Sequence, residues 1–326
     1  MTPDPSFLML TSAHREALAG LSYAVLSRKG FVVLTGDAGT GKTTLLMRLI
    51  RTLPPTRAQF SVVLNSTLTP AEFLELALLD FGFADIPTSK AQRLMMLQNF
   101  LINAREQQKV PVLVVDEAHK LSPEVLEEIR LLTNFELPDG KLLQIVLAGQ
   151  DELRQTLNRQ DMRQLKQRIA VRVAIRHLSD LEVEEYIRYR WTKAGGQDQP
   201  FSPDAIRQIA HRSNAIPRLI NAICDGTLTL AFGQGITSIG PKEVAEVAAD
   251  LDLTDVYSGP GRNAMSRVSG NGTAAKLQIH RPTERATAVP SIANPVPILQ
   301  RYNPVAERSD QRWWAKLGRR RGTPKL

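Results

Sequence analysis

Along the first 178 residues, short apolar runs alternate with longer stretches in which apolar side chains recur every three or four positions. The short runs predict five strands: Phe31 to Thr35, Phe60 to Asn65, Pro111 to Asp116, Leu142 to Gly149 and Ala170 to Ile175. They are nearly continuous in apolar residues, which is how strands read when helices cover both faces of a parallel sheet. Between them, Pro70 to Phe81 and Ala91 to Glu106 carry the spacing of helices with one apolar face, and Thr44 to Arg51 and the charged stretch Asp151 to Gln167 are also predicted helical. The alternation predicts an α/β fold, a parallel five-stranded sheet flanked by helices.

From Ser179 to about Leu251 the strand pattern stops and only helical signals remain. Asp180 precedes the amphipathic Leu181 to Lys193. Ser202, Pro203 and Asp204 supply a cap, a first-turn proline and an acid before Ala205 to His211, and Pro217 opens Arg218 to Phe232. These signals predict a small all-helical subdomain. Beyond Tyr257 the chain is rich in Pro, Gly, Ser, Asn and Arg without hydrophobic periodicity. Such a composition cannot offset its ordering entropy by burial, so a disordered tail is expected.

Charge sharpens this division. Residues 257–326 carry 13 Lys and Arg against three acids, Glu284, Glu307 and Asp310, so the net +8 of the chain is +10 in the tail and −2 before it. The front gives no electrostatic reason to expect DNA binding. In the tail, Trp313 and Trp314 stand beside Arg312, Lys316, Arg319, Arg320 and Arg321. Paired indoles and clustered cations suit an anionic membrane surface, and the same groups suit nucleic acid. No run of 18 apolar residues occurs, and Met1 to Leu10 lacks a basic segment and a cleavage site. The cytoplasm is therefore the expected compartment, with peripheral attachment at the inner face of the membrane as the tail's contribution. The single cysteine, Cys224, lies among Ile220, Ile223 and Leu228 at helical spacing and reads as a buried thiol without a role.

The chemistry concentrates at two places. Gly36, Asp37, Ala38, Gly39, Thr40, Gly41, Lys42 and Thr43 fit G-x-x-x-x-G-K-[ST] at every fixed position, between an apolar strand and the helical run that starts at Thr44. The glycines let backbone N–H groups turn inward around phosphates, and the helix N-terminus adds its dipole. Lys42 neutralises the β and γ phosphates and Thr43 ligates Mg²⁺, so Gly36 to Thr44 is the predicted ATP-binding segment. The third strand ends in Asp116 and Glu117, two acids delivered to the carboxyl edge where ligands of open α/β sheets bind. Asp116 is expected to hold Mg²⁺ through water, and Glu117 to polarise the attacking water.

These motifs, with Pro5-Ser6-Phe7-Leu8, His14 to Leu18, Asp116-Glu117-Ala118-His119, Leu147-Ala148-Gly149-Gln150, Gln167-Arg168-Ile169 and Ile216 to Asn221, resemble the AAA+ ATPases of the general secretion pathway protein A (ExeA) type, close to the transposition-regulator ATPases. The resemblance covers about residues 5 to 235. It implies an AAA+ nucleotide-binding domain over residues 1–178, a helical lid over 179–251 and the basic tail over 252–326. It also implies roles for Gln150 as a polar sensor near the γ-phosphate, Asn65 as the residue that switches Glu117, Arg168 as an arginine finger given to a neighbouring subunit, with Arg163 the competing candidate, and Arg218 as a lid arginine at the nucleotide. Relative to the family the sequence starts within the N-terminal segment, and no adenine pocket is assigned, although Leu8, Met9 and His14 lie in the matching stretch. The implied protein is a homo-oligomeric, Mg-dependent ATPase with a protein client, serving secretion or export. The alternatives are a DNA-dependent regulator of the transposition type and a nucleotide-gated scaffold with little turnover.

Two other motif readings fail on context. Asp116 to His119 spell a DEAH box, but a helicase needs a second RecA-like domain and only about 75 helical residues follow the last strand. Asn158-Arg159-Gln160-Asp161 resembles the guanine-reading N-K-x-D but lacks the lysine and falls in a charged helical stretch.

Overall fold

A computed structural model describes residues 9–64, 67–138 and 140–253. Asn65, Leu8 and the tail from residue 254 on therefore lie outside the described residues, and with them the expectations of a Glu117 switch and of a disordered, membrane-seeking or nucleic-acid-seeking end.

The elements in chain order are α1 (Ser12–Leu26), β1 (Phe31–Thr35), α2 (Lys42–Thr52), β2 (Ala58–Val63), α3 (Pro70–Phe81), α4 (Lys90–Glu106), β3 (Val110–Val115), α5 (Pro123–Leu132), β4 (Glu136–Leu137), β5 (Gly140–Lys141), β6 (Gln144–Gly149), α6 (Asp151–Asn158), α7 (Arg163–Arg168), β7 (Ile169–Ala174), α8 (Asp180–Lys193), α9 (Pro203–Arg212), α10 (Pro217–Gln234) and α11 (Pro241–Asp250). Five strands form one parallel sheet in the order β2-β3-β6-β1-β7. β1, β3 and β6 are buried along their whole length, whereas in the edge strand β7 Ala170, Arg172 and Ala174 are exposed. That is why β7 alone alternates in burial.

Successive residues of a strand face opposite sides, and the two apolar sets feed two separate cores. Val32, Leu34, Val112 and Val114 pack with Leu21 of α1 and Leu45 and Leu49 of α2. Phe31, Val33, Leu113 and Val115 pack with Phe73 of α3, Leu101 of α4, Ile129 of α5 and Leu153 of α6. Helices α8 to α11 enclose a third core of their own, including Val183, Phe201, Ile209, Ile223 and Val244. Local chemistry fixes the helix starts: Thr69 and Glu72 close a capping box on α3, as do Ser179 and Glu182 on α8, and Ser202 caps α9.

The structure departs from the sequence reading in three places. The stretch Asp151 to Gln167 is not one helix: it breaks at Arg159, whose backbone is extended (φ −61°, ψ 154°), and resumes through a short 3₁₀ turn, Gln160–Met162. The buried residues explain the break. Leu157 and Met162 are five apart, out of helical phase, so the chain must re-phase to bury both, and Arg159 pairs with Asp161 at 2.7 Å, a spacing that does not meet on a helix. The fourth sheet strand begins at Gln144 instead of Leu142, because Leu142 N–H donates to Phe135 O across the small β4-β5 hairpin. Each hairpin strand is two residues long, too short to show a period. The ends of β2, β3 and β7 shift by one or two residues, whereas β1 has the expected bounds.

Candidate nucleotide site

Strand register assembles the site. Thr35 pairs with Gly149, and Val115 with Leu147 and Val63, so β1, β3 and β6 end together at the carboxyl edge. The residues that follow them, Gly36 to Thr43, Asp116 to Glu117 and Gln150, are thereby brought to one place. The loop after β1 turns through Gly39 (φ +83°) and Gly41 (φ +96°), conformations that favour glycine, and Gly41 caps α2. Thr44 lies in the first turn of α2, whose N-terminus faces the loop.

Lys42 is buried, and its ammonium donates to the carbonyls of Gly36 at 2.8 Å and Asp37 at 2.9 Å. Burial pushes its pKa down, opposed by the nearby charges of Glu117, Asp116, Asp37 and Glu152. The Thr43 hydroxyl donates to Asp116 Oδ2 at 2.6 Å, and Asp116 Oδ1 accepts from the Glu117 N–H at 2.9 Å. Asp116 is buried, while Glu117 leaves the strand in a left-handed conformation (φ +52°, ψ 31°). A non-glycine residue there costs roughly 1–2 kcal/mol, and the turn carries the Glu117 carboxylate out of the sheet to a partly open position. Its Oε2 lies 3.5 Å from His119 Nε2 and 3.6 Å from Lys120 Nζ. Gln150 caps the start of α6, beside His119.

The helical part of the chain touches this loop through α10. Arg218, at the start of α10, donates its N–H to Gly39 O at 3.3 Å. A Cβ on Gly39 would stand 2.6 Å from Arg218 Cβ and 3.1 Å from Ile216 Cγ2, so glycine is needed for this approach as well as for its φ. The guanidinium of Arg218 belongs to an exposed residue at the rim.

Three histidines that the sequence reading did not assign surround the loop. His14 of α1 is buried, with Nε2 3.1 Å from Thr40 O and Nδ1 2.7 Å from Thr11 Oγ1; burial lowers its pKa and keeps it neutral. His177, between β7 and α8, meets Asp37 Oδ2 at 2.5 Å. His119 lies between Glu117 and Gln150. Their partners are 26, 140 and 31 residues away, and only the T-x-x-H spacing of Thr11 and His14 offered a local signal.

Arg168 is not in this assembly. It ends α7, immediately before Ile169, which pairs with Phe31 at the opposite, amino edge of the sheet. Five residues of strand separate that edge from the loop, roughly 16 Å at ~3.3 Å per residue, beyond the reach of one side chain to its own chain's site. Arg163 opens the same short helix and is exposed. Cys224 is buried among the residues of the third core, which drives its thiol pKa up. Among the described residues no helix is long and apolar enough to cross a membrane, and no cluster of three His, Cys, Asp or Glu residues could hold a metal by itself.

Comparison with known proteins bears on the fold and the family. Residues 25–157 match the family described as an AAA domain. General secretion pathway protein A of Aeromonas hydrophila is 39% identical over 255 residues, 77% of this chain and 46% of that protein, so the chain spans less than half of that relative's length. ATP-dependent target DNA activator B of Escherichia phage Mu is 25% identical over 77% of this chain and 75% of its own. Among solved structures, the Aeropyrum pernix ORC2 protein in its ADPNP and ADP complexes superposes with a TM-score of 0.55 at 15% identity, covering 76% of this chain and 72% of that one, a likeness of fold.

Proposed function

We propose that this chain, an AAA protein of the general secretion pathway protein A type, binds ATP with Mg²⁺ and hydrolyses it, coupling nucleotide state to assembly. The observation that carries the reading is the contact of Thr43 Oγ1 with Asp116 Oδ2 at 2.6 Å beside the buried Lys42 ammonium. A hydroxyl, a carboxylate and a cation at the mouth of a helix N-terminus support the reading, since a metal-bound triphosphate needs groups of these kinds.

The chain's own groups divide the work. Two of the three Lys42 N–H donors are engaged by loop carbonyls, which fixes the ammonium and leaves one for a phosphate oxygen. Thr43 and Asp116 fit Mg²⁺, which takes hard oxygen ligands and completes its octahedron with water and phosphate; bound there, it would neutralise charge on the phosphates. Glu117, carried clear of the sheet, accepts a proton from the attacking water. Gln150 and Arg218 contact the γ-phosphate side from β6 and from the lid. Arg168, at the opposite edge, reaches the ATP of a neighbouring subunit. In this reading residues 1–178 are the nucleotide-binding domain and 179–251 its lid.

The process served is secretion or export, on the strength of the 39% identical relative. The similarity to a DNA activator over 75% of its length supports a second reading, a DNA-dependent regulator. One assay set tests both. Lys42→Ala should lose ATP binding, whereas Glu117→Gln should bind ATP and lose turnover, because one neutralises phosphate and the other acts only at the water. Normal turnover by Glu117→Gln would refute the assignment. Stimulation of wild-type turnover by duplex DNA, abolished by high salt, would select the second reading over the first.

A further inference from the structure

The Asp116-Glu117-Ala118-His119 run leaves its histidine without a part in the hydrolysis described above, yet His119 is more enclosed than the proposed base it touches. Its side chain is 11% exposed against 35% for Glu117. It sits on a 3₁₀ turn, Ala118–Lys120, that starts from the left-handed Glu117 and packs under the end of β6. Gly149 makes that packing possible, since a Cβ there would stand 3.1 Å from His119 N and 2.9 Å from Leu153 Cδ2.

The ring's hydrogen bonds fix its tautomer. The backbone N–H of Gln150 donates to Nδ1 at 3.4 Å, so Nδ1 is an acceptor and the neutral ring carries its proton on Nε2. That N–H faces the Gln150 side-chain amide, whose Nε2 stands at 3.3 Å and which accepts once turned over, and Glu117 Oε2 at 3.5 Å. Both can accept it, the amide by presenting its oxygen. One proton with two acceptors is a two-position device.

We propose that His119 is a positioning residue that transmits the orientation of Gln150 to Glu117. With the Gln150 amide turned to the ring, the Nε2–H is taken and Glu117 is left to solvent and to the exposed Lys120. With the amide turned away toward a γ-phosphate, the Nε2–H is given wholly to Glu117 and holds its carboxylate toward the water. No proton leaves the ring at any point; only the acceptor of one hydrogen bond changes. The proposal rests on the ATPase reading of Lys42, Asp116 and Glu117.

The test uses the full chain. His119→Ala should lower kcat about 10- to 100-fold, the scale on which supporting hydrogen-bond partners of a reacting group act, with KM for ATP and ADP affinity changed less than about twofold. His119→Gln, whose amide reaches the Nε2 position, should recover most of that loss; His119→Asn, whose amide reaches only Nδ1, should not. The His119→Ala, Gln150→Ala double variant should be no slower than the slower single variant, because both break one chain of contacts. A readout independent of turnover is the ¹⁵N spectrum of the histidine rings in nucleotide-free wild type, where the signal lost in His119→Gln should be the Nε2–H form. An Nδ1–H form, additive losses in the double variant, or an Asn variant as active as the Gln one would overturn the proposal. Normal turnover by His119→Ala beside an inactive Glu117→Gln would overturn it alone, whereas a wild type that never hydrolyses ATP would remove the ATPase reading with it.

Discussion

Gly39→Ala is the substitution that most directly probes how the lid meets the phosphate loop. Two costs are separable from the structure. The first is backbone: at φ +83° an L-residue costs roughly 1–2 kcal/mol relative to glycine. The second is contact: the new methyl would stand 2.6 Å from Arg218 Cβ and 3.1 Å from Ile216 Cγ2. These are atoms at the root of α10, not the tip of a flexible side chain, so the loop or the helix must move, at a cost of roughly 1–3 kcal/mol for overpacking. Gly195 supplies the control, with φ +92° and nothing within 4 Å of the place its methyl would take. Gly195→Ala carries the backbone cost alone. Urea unfolding of both variants should therefore show Gly39→Ala less stable than Gly195→Ala by about 1–3 kcal/mol. Titration with a fluorescent ATP analogue should show weakened binding for Gly39→Ala and wild-type affinity for Gly195→Ala. Equal losses in the two variants, with unchanged ATP affinity in both, would refute the claim that Gly39 is where lid and loop touch.

Two further expectations concern charge. Burial would raise the Glu182 pKa, but hydrogen bonds from Arg176, the Ser179 N–H and Ser12 outweigh it and hold the carboxyl at about 2. A depressed folded pKa gives stability that is present above the unfolded value near 4.5 and is lost as pH falls from there toward 2, so wild type should exceed Glu182→Gln by about 1–2 kcal/mol at pH 7, after discount for solvent screening, and the gap should shrink by pH 3; a gap independent of pH would contradict this. Arg168→Ala should bind ATP normally yet hydrolyse it about 10³-fold more slowly, and Lys42→Ala subunits, which keep Arg168, should restore turnover when mixed with it. No recovery despite demonstrated co-assembly would leave Arg168 a structural arginine.

The sheet was legible because its central strands are buried on both faces and so read as unbroken apolar runs, as in Val112 to Val115. The loop and the acids were legible because phosphate chemistry demands particular residue types at fixed spacing, and the strand register then had only to bring Gly36, Asp116 and Gln150 to one edge. The break at Arg159 was hidden: charged residues continue across it, and only knowledge of which apolar residue turns inward separates Leu157 from Met162. The histidines were hidden for a different reason. His14, His119 and His177 each reach a partner on an element far away in the chain, and a lone histidine carries no period.

Those same contacts bear on how the lid moves. The cores on either side of the sheet and the core of α8 to α11 are separate clusters, so apolar burial holds each body together more than it holds them to one another. What crosses the boundary is largely polar: Asp37 to His177, Ser12 to Glu182, Arg176 to Glu182, and the Arg218 N–H to Gly39. Exposed pairs of this kind are worth roughly 0–1 kcal/mol each. A ligand shifts an equilibrium by its difference in affinity for the two states, and a few kcal/mol from a triphosphate touching both Lys42 and Arg218 is enough to outweigh such a joint. Asp37 and Gly39 belong to the loop itself, so the bonds to be rearranged lie where the phosphates are proposed to bind. In the proposed function the loop is binding site and hinge contact at once, so nucleotide state is expected to set the lid's position and, through the lid, the packing of the proposed oligomer.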